Sequence, residues 1–367
     1  MLNRSSFRTT AHRLIVGGVV LAAAATGLAG CAPAGGGDGD TETIGVALIT
    51  KTNTNPFFIA MKEGAEAAAA DSGVSLTFAA GKEDGDEDTQ IKAIEDAIAR
   101  GDQGILITPN GPGVLDAISK ARDAGLYVIA LDTPPDPADA VDITFATDNR
   151  LAGQLIGEWT AAQLNGEKAT IALLDLFDDK IVSVDYNRDQ GFLEGLGIDV
   201  ADGNTNSDEA STGTYSGGAG GEYEIVGNEA ANGAEDGGLA AMETLLAKNP
   251  DINVVYTLNE PTAYGAFQAL QAAGKTADDV LIVSVDGGCA GVDFVKDGTI
   301  DATSQQYPVK MAELGVQAIA QLAAGGAAPA VTDGLDFFNT GVALVTDTPV
   351  DGLDSIDTAA AADICWG

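Results

Sequence analysis

Ile44-Gly-Val-Ala-Leu-Ile49 is a short, unbroken apolar run, and its continuation decides the fold: a polar turn, then a helical stretch from Phe57 to Asp71. Val74-Ser-Leu-Thr-Phe78 repeats the strand, and Thr89 to Arg100 repeats the helix with Ile91, Ile94, Ala97 and Ile98 on one face. Gly104-Ile-Leu-Ile-Thr108 and Leu126-Tyr-Val-Ile-Ala-Leu131 continue the pattern around a helix over 113–124. Nearly continuous apolar strands between amphipathic helices predict a parallel sheet covered on both faces. The Pro134-Pro-Asp-Pro137 run interrupts the series. After Asp148 it resumes with helix 150–164, strand 169–174 and helix 187–196, then helix 235–248, strand 252–257, helix 261–273 and strand 280–285. Two such runs of similar size predict two similar α/β lobes. Residues 198–222, rich in Gly, Ser, Thr and Asp, do not fit and read as an extended surface loop.

The segment ahead of the first strand carries a different message. Arg4, Arg8 and Arg13 precede the apolar stretch Leu14–Ala25, and Leu28-Ala-Gly-Cys31 closes it. A basic start, a short apolar run and small residues before a cut make a secretory signal, too short to span a bilayer permanently. The cysteine at the cut resembles a bacterial lipobox, which implies that Cys31 becomes the lipidated first residue of the mature chain. Ala32 to Asp40 lacks periodicity and reads as a flexible tether. The expected location is therefore extracytoplasmic, on the outer face of the cytoplasmic membrane and held there by lipid.

Composition excludes several functions. The formal charge is −37, and removing the three arginines of 1–30 takes it to −40. Such a surface repels nucleic acid and anionic lipid headgroups. The one histidine, His12, leaves with the signal, so the mature chain has no imidazole base, no His metal ligand and no Ser-His-Asp arrangement. Besides Cys31 only Cys289 and Cys365 remain. In an exported chain they read as one disulfide, with two buried free thiols as the alternative.

Ligands of open α/β sheets sit beyond the carboxyl ends of the strands. The first strand runs into Thr50-Lys-Thr-Asn-Thr-Asn-Pro-Phe-Phe58, where Asn55 could grip vicinal hydroxyls and Phe57 or Phe58 could stack on a sugar ring. The same residues could equally be a helix N-cap followed by two core aromatics. Later strands stop at Asp132, at Asn259 and at Asp286, and Arg188 opens a helix in a chain with few arginines. A guanidinium offers several fixed donors to neutral hydroxyls while carboxylates balance its charge. Each polar strand end could also be a helix cap, and Arg188 a surface partner of Asp189. The acidic run Glu83-Asp-Gly-Asp-Glu-Asp88 lacks calcium-loop order and reads as an exposed turn, so neither a metal nor a cofactor is expected.

Asn55-Pro-Phe-Phe58, Val128-Ile-Ala-Leu-Asp132, Arg188-Asp-Gln-Gly-Phe192, Asn259 and Val283-Ser-Val-Asp-Gly287 resemble the ribose-type periplasmic sugar-binding proteins, solute receptors of bacterial ABC importers with the type I two-lobe fold. Ala80-Gly-Lys-Glu-Asp-Gly85, Gly104-Ile-Leu-Ile-Thr-Pro109 and the terminal Cys365-Trp-Gly367 are similar to the fructose-binding members in particular. The resemblance implies two Rossmann-like lobes joined by a three-crossing hinge, near 146–149, 305–307 and 334–336. It sets the signal at 1–30, the tether at 31–41, an N-terminal lobe at 42–147 plus 306–335, and a C-terminal lobe at 148–305 plus 336–350. The tail 351–367 would lie on the C-terminal lobe, where Cys365 reaches Cys289 without crossing the cleft. Asn55, Asp132, Arg188, Asn259, Asp286 and Gln305 are implied to bind hydroxyls, with Phe57 and Phe58 as the stacking wall. Thr133 stands where ribose receptors carry an arginine, and Val285 where they carry an aromatic; both departures argue against ribose and are compatible with fructose. The implied partners are a monosaccharide, the permease of an importer and, through the lipid, the membrane; a monomer is expected. A receptor feeding a sensor kinase or chemoreceptor is an alternative, as is a carbohydrate enzyme using Asp132 and Asp286 as an acid/base pair.

Overall fold

The computed structural model describes residues 43–276 and 279–367; the signal, Cys31 and the tether lie outside the described residues. The chain enters through β1 (Gly45–Thr50) and builds the first lobe by alternation: α1 (Pro56–Ser72), β2 (Ser75–Ala80), α2 (Glu87–Arg100), β3 (Gly104–Ile107), α3 (Leu115–Asp123), β4 (Tyr127–Leu131) and β5 (Ile143–Ala146). It crosses into the second lobe as α4 (Asn149–Leu164), β6 (Ala169–Asp175), α5 (Ser183–Leu196), β7 (Thr212–Tyr215), β8 (Gly221–Ala230) and α6 (Glu235–Lys248). That lobe continues as β9 (Val254–Thr257), α7 (Glu260–Ala272), β10 (Leu281–Asp286), α8 (Cys289–Asp297) and β11 (Ala302–Gln305). It returns to the first lobe as α9 (Pro308–Ala323) and β12 (Phe338–Asn339), and ends on the second as β13 (Ala343–Val345), β14 (Ser355–Ile356) and α10 (Thr358–Ala361).

The first sheet has the order β12-β5-β4-β3-β1-β2 and is parallel throughout. The second has the order β14-β13-β11-β10-β9-β6-β8-β7, with β7 and β13 antiparallel to their inner neighbours. Both faces of the first sheet are covered. Val46, Leu48, Leu106 and Ile129 pack under α1 and α9, while Ala47, Ile49, Ile105 and Ile107 pack under α2 and α3. This two-sided burial is the reason the strands read as unbroken apolar runs.

The structure corrects three readings. Residues 198–222 are not all loop: Thr212–Tyr215 and Gly221–Ala230 form a hairpin, and β8 pairs along the full length of β6. Its alternation of buried Tyr223 and Ile225 with Glu222 and Glu224 is that of a half-buried strand, masked by the glycines of the turn before it. The third crossing lies at 340–342 rather than 334–336, because Phe338 pairs with Phe145 in the first sheet and their rings meet edge to face at 5.4 Å. Residues 336–339 therefore belong with the first lobe. The tail also does more than rest on the second lobe: β14 and α10 do so, but Trp366 turns its ring edge-on to Phe57 of the first lobe, centroids 5.3 Å apart.

Cys289 and Cys365 are bonded, with Cα atoms 4.9 Å apart across a separation of 76 residues. The Cys289 N–H donates to Trp366 O at 2.9 Å, so the bridge fixes the strap that carries the indole. Replacing Cys365 with Ser is expected to cost on the order of 2–4 kcal/mol, because a long loop is freed in the unfolded chain. Thermal unfolding of wild type and Cys365→Ser measures this; equal midpoints would show that the bridge adds nothing.

Candidate functional site

Strand ends from both lobes converge on one cleft. β4 delivers Asp132, the turn after β1 delivers Lys51 and Asn55, β9 delivers Asn259, β10 delivers Asp286, and α5 delivers Arg188. Together they line a small cavity at the floor of the cleft. Phe57 and Phe58, perpendicular to one another at 5.3 Å, form one wall, and Leu176 and Leu258 face them from the other lobe.

Arg188 is the centre of the site. Its side chain is buried, its Nε–H donates to Asn149 Oδ1 at 2.7 Å, and its Nη1 donates to Leu258 O at 2.8 Å. The remaining donors face carboxylates of different lobes: Nη2 stands 3.6 Å from Asp132 Oδ1, and Nη1 3.9 Å from Asp286 Oδ1. Lys51 approaches Asp132 Oδ2 from the other side at 4.0 Å. These separations exceed direct hydrogen bonds, so donors and acceptors are paired by charge while keeping capacity for a third party. Asp132 Oδ1 is buried without a hydrogen-bond partner, and so is Gln306 Oε1. Asp132 also sits at φ 64°, a left-handed conformation that costs a non-glycine residue about 1–3 kcal/mol and that clusters at ligand sites.

Asp286 is held by its surroundings as firmly as Arg188. Gln306 Nε2 donates to Asp286 Oδ1 at 2.8 Å. The turn behind it, Gly287-Gly288, is pinned by the buried carboxylate of Glu260, which accepts from both amides at 2.8 and 3.1 Å and from Thr303 Oγ1 at 2.8 Å. Gly287 has φ 73°, and a Cβ there would run into Gln305.

The residues expected from sequence divide into groups. Asp132, Arg188 and Asp286 meet at the cavity floor. Asn55 borders the cavity while also capping α1, its Oδ1 accepting from Phe57 N at 2.9 Å, and Phe57 and Phe58 are at once core and wall. Asn259 borders it with both ends of its amide in use, Oδ1 capping α7 through Thr262 N at 3.1 Å and Nδ2 donating to Gly233 O at 3.1 Å. Gln305 is not brought to the cavity: its amide packs against Gly287 and donates to Gln306 O, and the next residue, Gln306, faces the site instead. The strand period of two explains this, since successive side chains at the end of β11 point to opposite sides. Arg188 is not a surface partner of Asp189, which is itself buried.

Lys51, Asp84, Asn149, Glu260 and Gln306 were missed. Asp84 belongs to the acidic run read as an exposed turn. Asp86 of that run does cap α2, accepting from Thr89 N at 3.1 Å, but Asp84 turns half-buried into the cleft with its Oδ1 unpartnered. The Thr50-Lys51 strand end carried a usable signal, because a lysine directly after an apolar strand lies at the binding edge. Asn232, at φ 54°, borders a wider groove that continues outward from the cavity past Tyr264 and Trp366.

The family model for the periplasmic binding protein domain matches residues 46–327. The chain belongs to this family of periplasmic binding proteins. The ribose import binding protein of Salmonella typhimurium is 29% identical over 273 residues, covering 74% of this chain and 82% of the relative. The D-apiose import binding protein of Actinobacillus succinogenes is 31% identical over 268 residues, covering 71% and 76%. An Agrobacterium vitis ABC transporter solute-binding protein, solved with D-fucose, superposes with a TM-score of 0.70 at 25% identity, covering 88% of this chain and all of that one. This periplasmic binding protein thus has the expected type I architecture. Its relatives are named as import binding proteins, which sets the acid/base enzyme reading aside.

Burial dominates the acidity of the site. Desolvation pushes the Asp286 carboxyl up to about 7 and the Glu260 carboxyl up to about 8, and it raises Asp84 to about 6 against the pull of Lys51. Arg188 opposes the rise at Asp286 without cancelling it. A carboxyl that holds its proton more tightly folded than unfolded favours the fold most below its unfolded value, and loses that advantage as pH climbs to its folded value. The ligand-free protein is therefore expected to melt at a higher temperature near about pH 5 than near about pH 8, the fall being smaller in Glu260→Gln. A flat or rising profile in thermal scans would contradict this.

Proposed function

We propose that this protein captures a monosaccharide between its lobes and delivers it to the permease of an ABC importer, and that the sugar is fructose. The observation that carries the reading is Arg188, buried between a carboxylate of each lobe with acceptor capacity unfilled on Asp132 and Gln306. A neutral polyol suits it: hydroxyls donate to Asp132, Asp286 and Gln306, and accept from Arg188 and Lys51. A carboxylate ligand would meet Asp84, Asp132 and Asp286, and a free cation would meet Arg188 and Lys51. Phe57 and Phe58 supply the apolar wall for the C–H face of a ring. The sugars named with the relatives and neighbours, ribose, D-apiose and D-fucose, are of this chemical class.

Fructose within that class rests on Thr133 and Val285, which replace bulkier groups of ribose receptors, and on the resemblance of the turn sequences to fructose-binding members. Each buried partner left unmatched costs about 1–3 kcal/mol, so one misplaced hydroxyl discriminates roughly tenfold to hundredfold. Anchorage through a lipid on Cys31, an extracytoplasmic location and action as a monomer complete the proposal. The tether of 31–41 lets an anchored receptor meet its permease.

Calorimetric titration with fructose, ribose, allose, fucose and xylose tests the reading, with fructose expected to bind most tightly. Failure of every monosaccharide would overturn it; tighter binding of another sugar would overturn the fructose assignment alone. Arg188→Lys and Asp286→Asn are each expected to weaken binding at least about tenfold, by loss of charge-assisted hydrogen bonds of ~1.5–3 kcal/mol. Unchanged affinity in both would remove them from the site. Three crossings make a hinge, so small-angle scattering should show a smaller radius of gyration with sugar than without.

A further inference from the structure

The cavity at the floor of the cleft continues into a larger space. Asn55, Asp84 and Asp286 border both the cavity and a groove of about 580 Å³ beyond it. That volume lies within the range of roughly 300–1,000 Å³ typical of sites that enclose a small-molecule ligand. The groove is not the gap of an unclosed hinge, because the lobes already touch around the cavity. Ser183 Oγ at the start of α5 donates to Pro134 O of the first lobe, and Lys180 Nζ donates to Gly85 O at 3.3 Å. Gly233 of the second lobe approaches Asp84 so closely that a Cβ there would stand 3.0 Å from Oδ2. With Arg188 also facing Asp132, little further closure is available, and the groove belongs to the shut form.

Its walls combine two kinds of surface. Tyr264 of α7 and Phe294 of α8 are half-buried and stack on one another, centroids 5.0 Å apart and planes within 3° of parallel. Trp366 of the C-terminal strap borders the same groove, next to the Cys289 end of the disulfide. These three rings line the groove and not the floor cavity. Glu83, Asp84 and Glu235 also line it, and against them stands Lys82. Aromatic faces suit the C–H face of a sugar ring, while carboxylates accept from hydroxyls and repel phosphate or carboxylate groups. Asp84 carries an oxygen, Oδ1, that is shielded from solvent and has no hydrogen-bond partner.

We propose that the cleft takes ligands longer than one sugar ring: a neutral disaccharide or glycoside, with one unit at Arg188 and the second in the groove against Tyr264 and Phe294. Asp84, at the junction of the two compartments, accepts from a hydroxyl beside the glycosidic bond. The inference rests on the receptor reading and extends it, since fructose becomes the end of the ligand that the floor recognises. An anionic second unit is excluded by Glu83, Asp84 and Glu235. The strap then has a part in recognition, because the bridge at Cys289 holds Trp366 along the wall that the second unit follows.

Calorimetric titration tests this by comparing the monosaccharides above with sucrose, inulobiose, levanbiose, lactose, melibiose and xylobiose. At least one disaccharide is expected to bind as tightly as the best monosaccharide, or more tightly. Tyr264→Ala is expected to weaken that disaccharide at least about tenfold while leaving monosaccharide affinity within about twofold. Ala290 is exposed on α8 and lines the groove, so the long side chain of Ala290→Arg would fill it. The same split is expected of this variant, which decides the matter if Tyr264→Ala fails to fold. If monosaccharides bind and every disaccharide is more than about a hundredfold weaker, the extended ligand is overturned while the receptor reading stands. Wild-type disaccharide affinity in the folded variants overturns it equally. If neither class of sugar binds, the receptor reading itself falls.

Discussion

A guanidinium out of water needs carboxylates beside it, and Arg188 draws them from both lobes. Asp132 belongs to the first lobe and Asp286 to the second, so the ion pairs exist as a set only when the cleft is shut around them. The same atoms that offset the burial of the arginine hold the lobes together and define the pocket. Because the separations are longer than hydrogen bonds, a ligand hydroxyl can enter between the charges and improve each pairing without displacing one. Glu260 and Gln306 preserve the arrangement from behind, since they fix the turn and side chain of Asp286.

The C-terminal strap is the second link between lobes. The disulfide attaches it to the second lobe, while Trp366 lies against Phe57 of the first and its Nε1–H donates to the hinge carbonyl of Gln306 at 3.0 Å. Phe57 is also a wall of the cavity, so the strap supports an aromatic face of the candidate site. A bridge spanning the lobes would have locked the hinge. One within the second lobe leaves the strap's own link to the first lobe as a ring contact between Trp366 and Phe57, which can part on opening.

Much of the architecture was legible because parallel strands buried on both faces cannot hide. Gly104–Ile107 and Tyr127–Leu131 are apolar at every position that matters, and their helices carry matching stripes. β8 was not legible, since it follows a glycine-rich turn and buries only alternate residues at the sheet margin. The cavity-lining residues that end strands, Asp132 and Asp286, could be found by position alone. Asp84 could not, because a carboxylate in an acidic turn looks the same whether it faces solvent or a cleft, and nothing local separates Gln305 from Gln306.

By itself the sequence determined the parts: the alternation of strands and helices, the strand ends at which polar groups gather, and the cysteines available for one bridge. These are properties of residue type and period, which a chain carries before it folds. Tertiary structure decided which of those parts meet. That Arg188 faces Asp132 across lobes, that the third crossing waits for Phe338 to reach Phe145, and that Trp366 returns to Phe57 all depend on contacts between residues distant in sequence. Such contacts are chosen by packing and by the need to match every buried charge, and no local pattern encodes them.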